Sequence, residues 1–367
     1  MKLDSIEDIL ADIRAGKMVI LMDDEDRENE GDLIMAAEKV TPEAIAFFVR
    51  YTSGIICEPM TGERLEELRL PQMVSENTES HRTAFTVSVD YKHGTTTGIS
   101  AQDRAQTIRA LADPASKPAD FSRPGHIFPL RCVEGGVLWR AGHTEASVDL
   151  VQLSGLKSHA AVICEVVNDD GSMKRGAELE TFAREHQLKI GTIADLISYR
   201  LAREKTVTRI AERDVPTEYG NFKLNVYEDR VSRTLHFALT NGTIDAATPT
   251  LVRVHLPNTL SDLVGVNWDD LGWPLRHAMR RIAQDGGVVV ILRHPEDPAL
   301  MLERLHSHNG GVAEDNAPAA AVLRTYGIGA QILLDLGVRR MRVLSQPKRM
   351  QGLSGFGLEV VEYVACD

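Results

Sequence analysis

The sequence predicts a two-domain protein of mixed helix and strand, α/β or α+β in class. Three observations point there. Strand-length apolar runs alternate with helical patterns along the chain, as they do where sheets and helices stack in layers. A length of 367 residues with 43% hydrophobic content suits two cores better than one. Charge density also drops from about Val207, with 24 basic and 34 acidic residues before it and 17 and 19 from it onward.

The net charge of −12, with no basic patch, argues against nucleic acid and anionic membrane as partners. No eighteen apolar residues run together, and the first 17 residues lack a basic-then-apolar signal pattern, so a cytoplasmic location is expected. Cys57, Cys132, Cys164 and Cys366 form no Cys-x-x-Cys pair, which predicts free thiols rather than disulfides or structural zinc.

Residues 5–16 read as an opening helix: Ile6, Ile9, Leu10 and Ile13 share a face, Ser5 or Asp4 caps it, and Gly16 ends it. A buried strand follows at 18–22. Thr41-Pro42-Glu43 starts a helix with a cap, a first-turn proline and an acid near the positive dipole end. Residues 53–57 are a short strand, where Cys57 suits a small buried hydrophobe. Residues 83–90 alternate as a half-buried strand does. Before a helix capped by Ser100, Thr95, Thr96, Thr97 and Gly98 offer either a phosphate cradle or an ordinary capped loop.

Arg123-Pro-Gly-His-Ile-Phe-Pro129 sets three turn formers around His126, which projects from a rigid loop or is satisfied by backbone. In Arg140-Ala-Gly-His-Thr-Glu-Ala-Ser147, Gly142 permits an unusual backbone and Thr144 caps a helix starting near Glu145. Arg140, Thr144 and the helix amides there would hold an anion, with His143 beside it as either a metal ligand or a structural histidine. A strand at 159–167 is apolar except for Glu165; buried without a partner, that carboxylate costs several kcal/mol or takes a proton. Helices at 176–186 and 193–205, the second capped by Thr192, complete this half.

The densest chemistry lies directly after the first strand. Seven of the ten residues from Asp23 to Asp32 are carboxylates, interrupted by Arg27, Asn29 and Gly31. A charge run is commonly a solvated loop, but at the carboxyl end of a strand it also suits a hard divalent cation. Calcium-loop spacing is lacking. Arg27 suits a fork for an anion and Gly31 a tight turn.

Asp-Asp-Glu-Asp-Arg-Glu-Asn-Glu-Gly-Asp, Arg-Pro-Gly-His and Arg-Ala-Gly-His-Thr-Glu together resemble the 3,4-dihydroxy-2-butanone 4-phosphate synthase family, across most of the first 200 residues. The resemblance implies a mixed-sheet, three-layer synthase domain over residues 1–205. It implies conversion of ribulose 5-phosphate to 3,4-dihydroxy-2-butanone 4-phosphate with release of formate. It also implies Mg2+ or Mn2+, two per active site, held through Glu28 and His143. Substrate would meet Arg27, Glu28, Asp32, Arg140, Ala141, Gly142, His143, Thr144 and Glu165, while His126 and Glu165 would be catalytic. A homodimer is implied, with active sites that use both subunits.

Residues 206–367 resemble GTP cyclohydrolase II in Tyr326-Gly-Ile-Gly-Ala-Gln and Gly352-Leu-Ser-Gly-Phe-Gly, implying an α/β/α domain. Strands are expected at 251–256, 288–292, 340–345 and 358–364, and helices at 273–284 and 326–336. The family's three zinc cysteines fall on Asn258, Asp269 and Leu271, so no zinc is expected. Its nucleotide loop is replaced around Pro295-Glu-Asp-Pro298, and the aspartate before Arg324 is Val322. A degenerate domain is therefore expected, serving assembly or regulation, with a bifunctional enzyme that also opens GTP as the alternative.

Overall fold

The computed structural model describes residues 3–24, 27–266, 273–293, 296, 298–307, 319–346 and 357–366, in two compact units, Met1–Tyr199 and Arg200–Asp367. The first unit runs α1 (Ile6–Arg14), β1 (Val19–Met22), β2 (Gly31–Ala36), α2 (Pro42–Tyr51), β3 (Cys57–Thr61), α3 (Gly62–Glu67), β4 (Val89–Tyr91) and α4 (Ala101–Ala112). It continues through β5 (Phe121–Cys132), α5 (His143–Leu153), β6 (Ala161–Glu165), α6 (Gly176–His186), β7 (Lys189–Thr192) and α7 (Ile193–Arg203), which crosses the division.

The expected caps are present. Ser5, Thr41 and Ser100 accept from backbone amides three residues on, and the Thr192 hydroxyl accepts from the Asp195 amide. The seven strands form one mixed sheet in the order β4-β5-β3-β6-β2-β1-β7. Alternation divides its side chains between two faces. Ile20, Met22, Leu33, Met35, Val162 and Cys164 join a core with Phe48 of α2, Ile108 of α4 and Phe182 of α6. The intervening Val19, Leu21, Ile34 and Ile163 are buried on the opposite face, where α1 and α5 pack. Helices on both faces leave strand ends as the accessible places for polar chemistry.

Two strand assignments shift. The strand expected at 53–57 begins only at Cys57 and runs on through Glu58 and Pro59, residues that disguise a strand interior. Of residues 83–90, only Val89 and Asp90 lie in a strand, while Phe85 and Thr86 make isolated bridges.

Glu58 is an unexpected feature of this core. It is fully buried, neither carboxylate oxygen has a hydrogen-bond partner, and burial pushes its pKa well above the usual range against a weaker opposing pull from Arg64. A carboxyl whose folded pKa exceeds its unfolded value favours the folded state below about pH 4.5 and loses that contribution as pH rises. Glu58→Met is therefore expected to raise the denaturant midpoint, with a gap over wild type that widens by up to about 1.4 kcal/mol per pH unit above that point. Parallel pH profiles for the two proteins would contradict it.

The second unit holds β8 (Val207–Thr217), β9 (Gly220–Asp229), β10 (Leu235–Asn241), β11 (Thr250–His255), α8 (Leu275–Asp285), β12 (Gly287–Ile291), α9 (Pro298–Ser307), α10 (Ala319–Asp335), β13 (Arg340–Leu344) and β14 (Glu359–Val364). They build a second mixed sheet, β14-β13-β11-β12-β10-β9-β8. The antiparallel meander β8 to β10 was not expected. Most of β8 is exposed and it carries charges in place of an apolar alternation, so its pattern is that of a loop. The predicted helix at 326–336 is the carboxyl half of α10.

Candidate active site

β1 and β2 pair antiparallel, with Met22 opposite Gly31, so the acidic run is the connection of a hairpin. Glu25 and Asp26 lie outside the described residues. Asp23 organises the connection. Its carboxylate accepts from the Arg27 guanidinium at 2.9 Å and from the amides of Glu28 at 3.1 Å and Glu30 at 2.9 Å. Arg27 also reaches Glu28 at 2.8 Å, so its fork neutralises the loop itself. The tight turn falls at Asn29, with φ 54°, rather than at Gly31. Gly31 opens β2, and a Cβ there would stand 2.6 Å from Leu179, so close packing explains this glycine.

The hairpin brings its charges to one histidine. His143, 5% exposed, donates from Nε2 to the Leu21 carbonyl at 3.2 Å, since a carbonyl can only accept. Its Nδ1 therefore faces Glu28 at 3.8 Å and Asp32 at 3.7 Å. Donor atoms of Asp23, Glu28 and His143 lie within 4.8 Å of one another. Burial works against charge on Glu28, but His143, Arg27 and His81 outweigh it and bring its pKa down to about 2. Burial pushes Asp32 up to about 8 despite the pull of His143, with repulsion from Glu165, Glu28 and Asp23 adding to the rise. Asp32 Oδ1 is buried without a hydrogen-bond partner. An orphaned carboxylate oxygen, an ionised carboxylate and an imidazole lone pair on one spot fit a hard divalent cation. Asp23, with three donors on its two oxygens, fits a supporting role.

β2 also pairs with β6, setting Asp32 directly opposite Glu165. Glu165 is half-buried, and the Ser53 hydroxyl donates to it at 2.6 Å, so it is neither deeply buried nor unpaired as expected. Its strand ends there, with buried Val166 bridged to Thr52 just beyond it.

The helix carrying His143 starts two residues earlier than expected. Gly142 is its N-cap, in extended backbone at φ −119°, which any residue adopts. A Cβ there would meet the Arg140 guanidinium at 2.6 Å, so a side chain at this position would displace that group. Thr144 lies inside the first turn, buried, and does not cap; no side chain caps α5. The Glu145 carboxylate reaches its own amide in that first turn, and half-exposed Ala141 flanks the helix end. Arg140 bonds Glu145 at 2.6 Å and crosses to the His81 carbonyl at 3.2 Å and the Thr83 hydroxyl at 3.3 Å.

Other expected sites fare differently. The amides of Thr96 and Gly98 are taken by the Asp103 carboxylate, whose charge would repel a phosphate, so this is the capped loop. His126 is not in a loop between elements. It lies in β5, where residues 123–126 bulge out of the β4 pairing between Val89 and Asp90. Asp90 holds its Nδ1 at 2.7 Å and its amide at 2.9 Å. β3 separates β5 from β6, so two strand spacings, about 10 Å, lie between Phe128 and Ile163, which flank Cys57, and His126 lies beyond that paired stretch. Sequence reasoning missed Ser53, Asp90 and His81, whose polar surroundings carry no periodic signal.

In the second unit, Asn258 caps the turn at Thr259–Val264 through its side chain. Asp269, Leu271, Pro295 and Asp297 lie outside the described residues, as does the side chain of Val322. His255 pairs with Asp262 at 2.7 Å, and Glu296 holds the Thr259 amide at 2.9 Å.

Residues 7–199 match the 3,4-dihydroxy-2-butanone 4-phosphate synthase family and residues 208–365 the GTP cyclohydrolase II family. The chain is 53% identical to 3,4-dihydroxy-2-butanone 4-phosphate synthase of Pseudomonas aeruginosa, covering 100% of both proteins. It belongs to the 3,4-dihydroxy-2-butanone 4-phosphate synthase family. It is thus an enzyme, a lyase of riboflavin biosynthesis. Among solved structures it resembles RibBX, a two-domain synthase from A. baumannii, at 44% identity and a TM-score of 0.84 over 99% of this chain and 100% of the other. A synthase solved in complex with two magnesium ions is 51% identical, with a TM-score of 0.52, over 54% of this chain and 96% of that one. Both domains of the expected two-domain α/β architecture are thus present. No helix among the described residues is long and apolar enough to cross a membrane.

Proposed function

We propose that the first domain, residues 1–205, converts ribulose 5-phosphate to 3,4-dihydroxy-2-butanone 4-phosphate and formate at Glu28, Asp32 and His143, with Glu165 opposite Asp32 on the neighbouring strand. The observation that carries this is His143 Nδ1 facing Glu28 and Asp32, with Asp32 Oδ1 unpartnered. Glu28 and His143 hold Mg2+ or Mn2+, which when bound supplies an electrophile that acidifies the neighbouring sugar C–H. The amides opening α5, with Arg140 and Thr144, receive the phosphate. Arg27 keeps the acidic loop folded over the substrate, and Asp32 closes the cation's side. Glu165, half-buried at the end of its strand, moves protons.

A homodimer fits the position of His126. Asp90 fixes it away from its own chain's cluster, and its side chain is 40% exposed, so it is placed to serve a second copy.

The second domain, residues 206–367, does not open GTP and serves assembly or regulation. The cyclohydrolase's zinc positions hold Asn258, Asp269 and Leu271, and among the described residues the one group placed to hold a metal ion, Asp23, Glu28 and His143, lies in the first unit. The test is one preparation assayed twice. Formate release from ribulose 5-phosphate with magnesium is expected, and no GTP turnover with zinc added. GTP turnover would establish the bifunctional alternative, and full activity of a fragment ending at Lys205 would remove an assembly role needed for catalysis.

A further inference from the structure

We propose that His81 is a further substrate-contacting residue of the synthase reaction, bonding the sugar hydroxyl that lies against Glu28. This rests on the assignment of Glu28 to the active site. His81 Nε2 stands 3.9 Å from Glu28 Oε1, while the other oxygen of the same carboxylate faces His143. That gap is too long for a hydrogen bond, but it admits one hydroxyl oxygen at about 2.8 Å from each group. Such a hydroxyl accepts from the imidazole N–H and donates to the carboxylate, which satisfies both. The ring is 39% exposed, so one side of it is open to an incoming ligand.

The turn that carries the ring is built to hold it still. Glu79 accepts from the amides of His81 and Thr83, each at 2.9 Å, and from the Ser80 hydroxyl at 2.8 Å. Asn77 ties both ends, donating to the Thr83 carbonyl at 3.0 Å and accepting from the Glu79 amide at 3.0 Å. Arg140 then fastens the turn to the mouth of α5 through the His81 carbonyl and the Thr83 hydroxyl. A turn secured by five side-chain bonds, and anchored to the proposed phosphate-binding helix end, gives His81 the fixed position that transition-state contacts need.

The test uses the full chain with His81→Ala and His81→Gln, glutamine keeping a donor of similar reach. His81→Ala is expected to lower kcat/KM for formate release about 100-fold. His81→Gln should recover most of that loss. Melting midpoint and magnesium uptake without substrate should match wild type in both variants. Unchanged kcat/KM in His81→Ala overturns the proposal. So does magnesium uptake that falls in step with activity, since His81 would then act through Glu28. Glu28→Gln, run alongside, separates the two levels: if it is inactive while His81→Ala is normal, only the His81 role fails; if it is fully active, the Glu28 assignment fails.

Discussion

Glu28→Gln and His143→Ala should each reduce formate release by about three orders of magnitude, the scale of losing a cation worth several kcal/mol to the transition state. Circular dichroism should be unchanged, because Glu28 lies in a connection and His143 at the first position of α5. Calorimetry should detect little magnesium or manganese uptake by either variant. In the wild-type protein without metal, Asp32 is pushed up to about 8, mainly by burial. His143 is raised to about 9, because Asp32, Glu28 and Asp23 together outweigh the burial that opposes its charge. Both groups must present lone pairs to a cation, so uptake displaces protons and affinity should rise between about pH 6 and 9. The sign follows from both folded pKa values lying high: acid favours the proton and base the metal. Normal turnover in either variant, or uptake that releases no proton, would remove the metal assignment.

The legible parts of this chain are those where one local signal has one physical outcome. Gly176–His186 matches its expected bounds, with Leu179, Phe182 and Ala183 forming one buried face and Glu178 closing the first turn. Residues 193–203 follow from Thr192 as a cap. Charge was legible as chemistry: Glu28 and His143, 115 positions apart in sequence, do converge. What sequence could not supply was pairing. The strand Gly31–Ala36 begins inside the charge run, and its role emerges only when β6 sets Glu165 against Asp32. His126 shows the converse, since two prolines and a glycine disguise a strand: Pro124 and Gly125 lie where it bulges away from β4, while Pro129 stays paired opposite Glu58. Gly31 packs against Leu179 instead of making the tight turn expected of it; a side chain packed against a glycine leaves no local mark. Glu165 suggested a buried lone carboxylate; that description belongs instead to Glu58, two strands' pairing being needed to tell them apart.

Glu165→Gln should separate proton transfer from metal binding. The amide keeps the shape and can still meet the Ser53 hydroxyl, which lies 2.6 Å from the carboxylate, so packing at the end of β6 is preserved. It cannot take a proton, and loss of a general acid or base typically lowers kcat by about 10²- to 10⁴-fold. KM and magnesium affinity should change little, since Glu165 is not among the groups clustered at His143. A second readout makes the role specific. If Glu165 removes the sugar proton, wild-type protein in deuterated water should introduce deuterium into recovered ribulose 5-phosphate, and the variant should not. A variant that exchanges deuterium normally but releases no formate would move Glu165 to a later proton transfer, after the first C–H bond has broken. A variant that loses magnesium uptake together with kcat would make Glu165 part of the cation's surroundings. The strand pairing that puts it opposite Asp32 would then explain its effect through that neighbour's charge, not through a proton of its own.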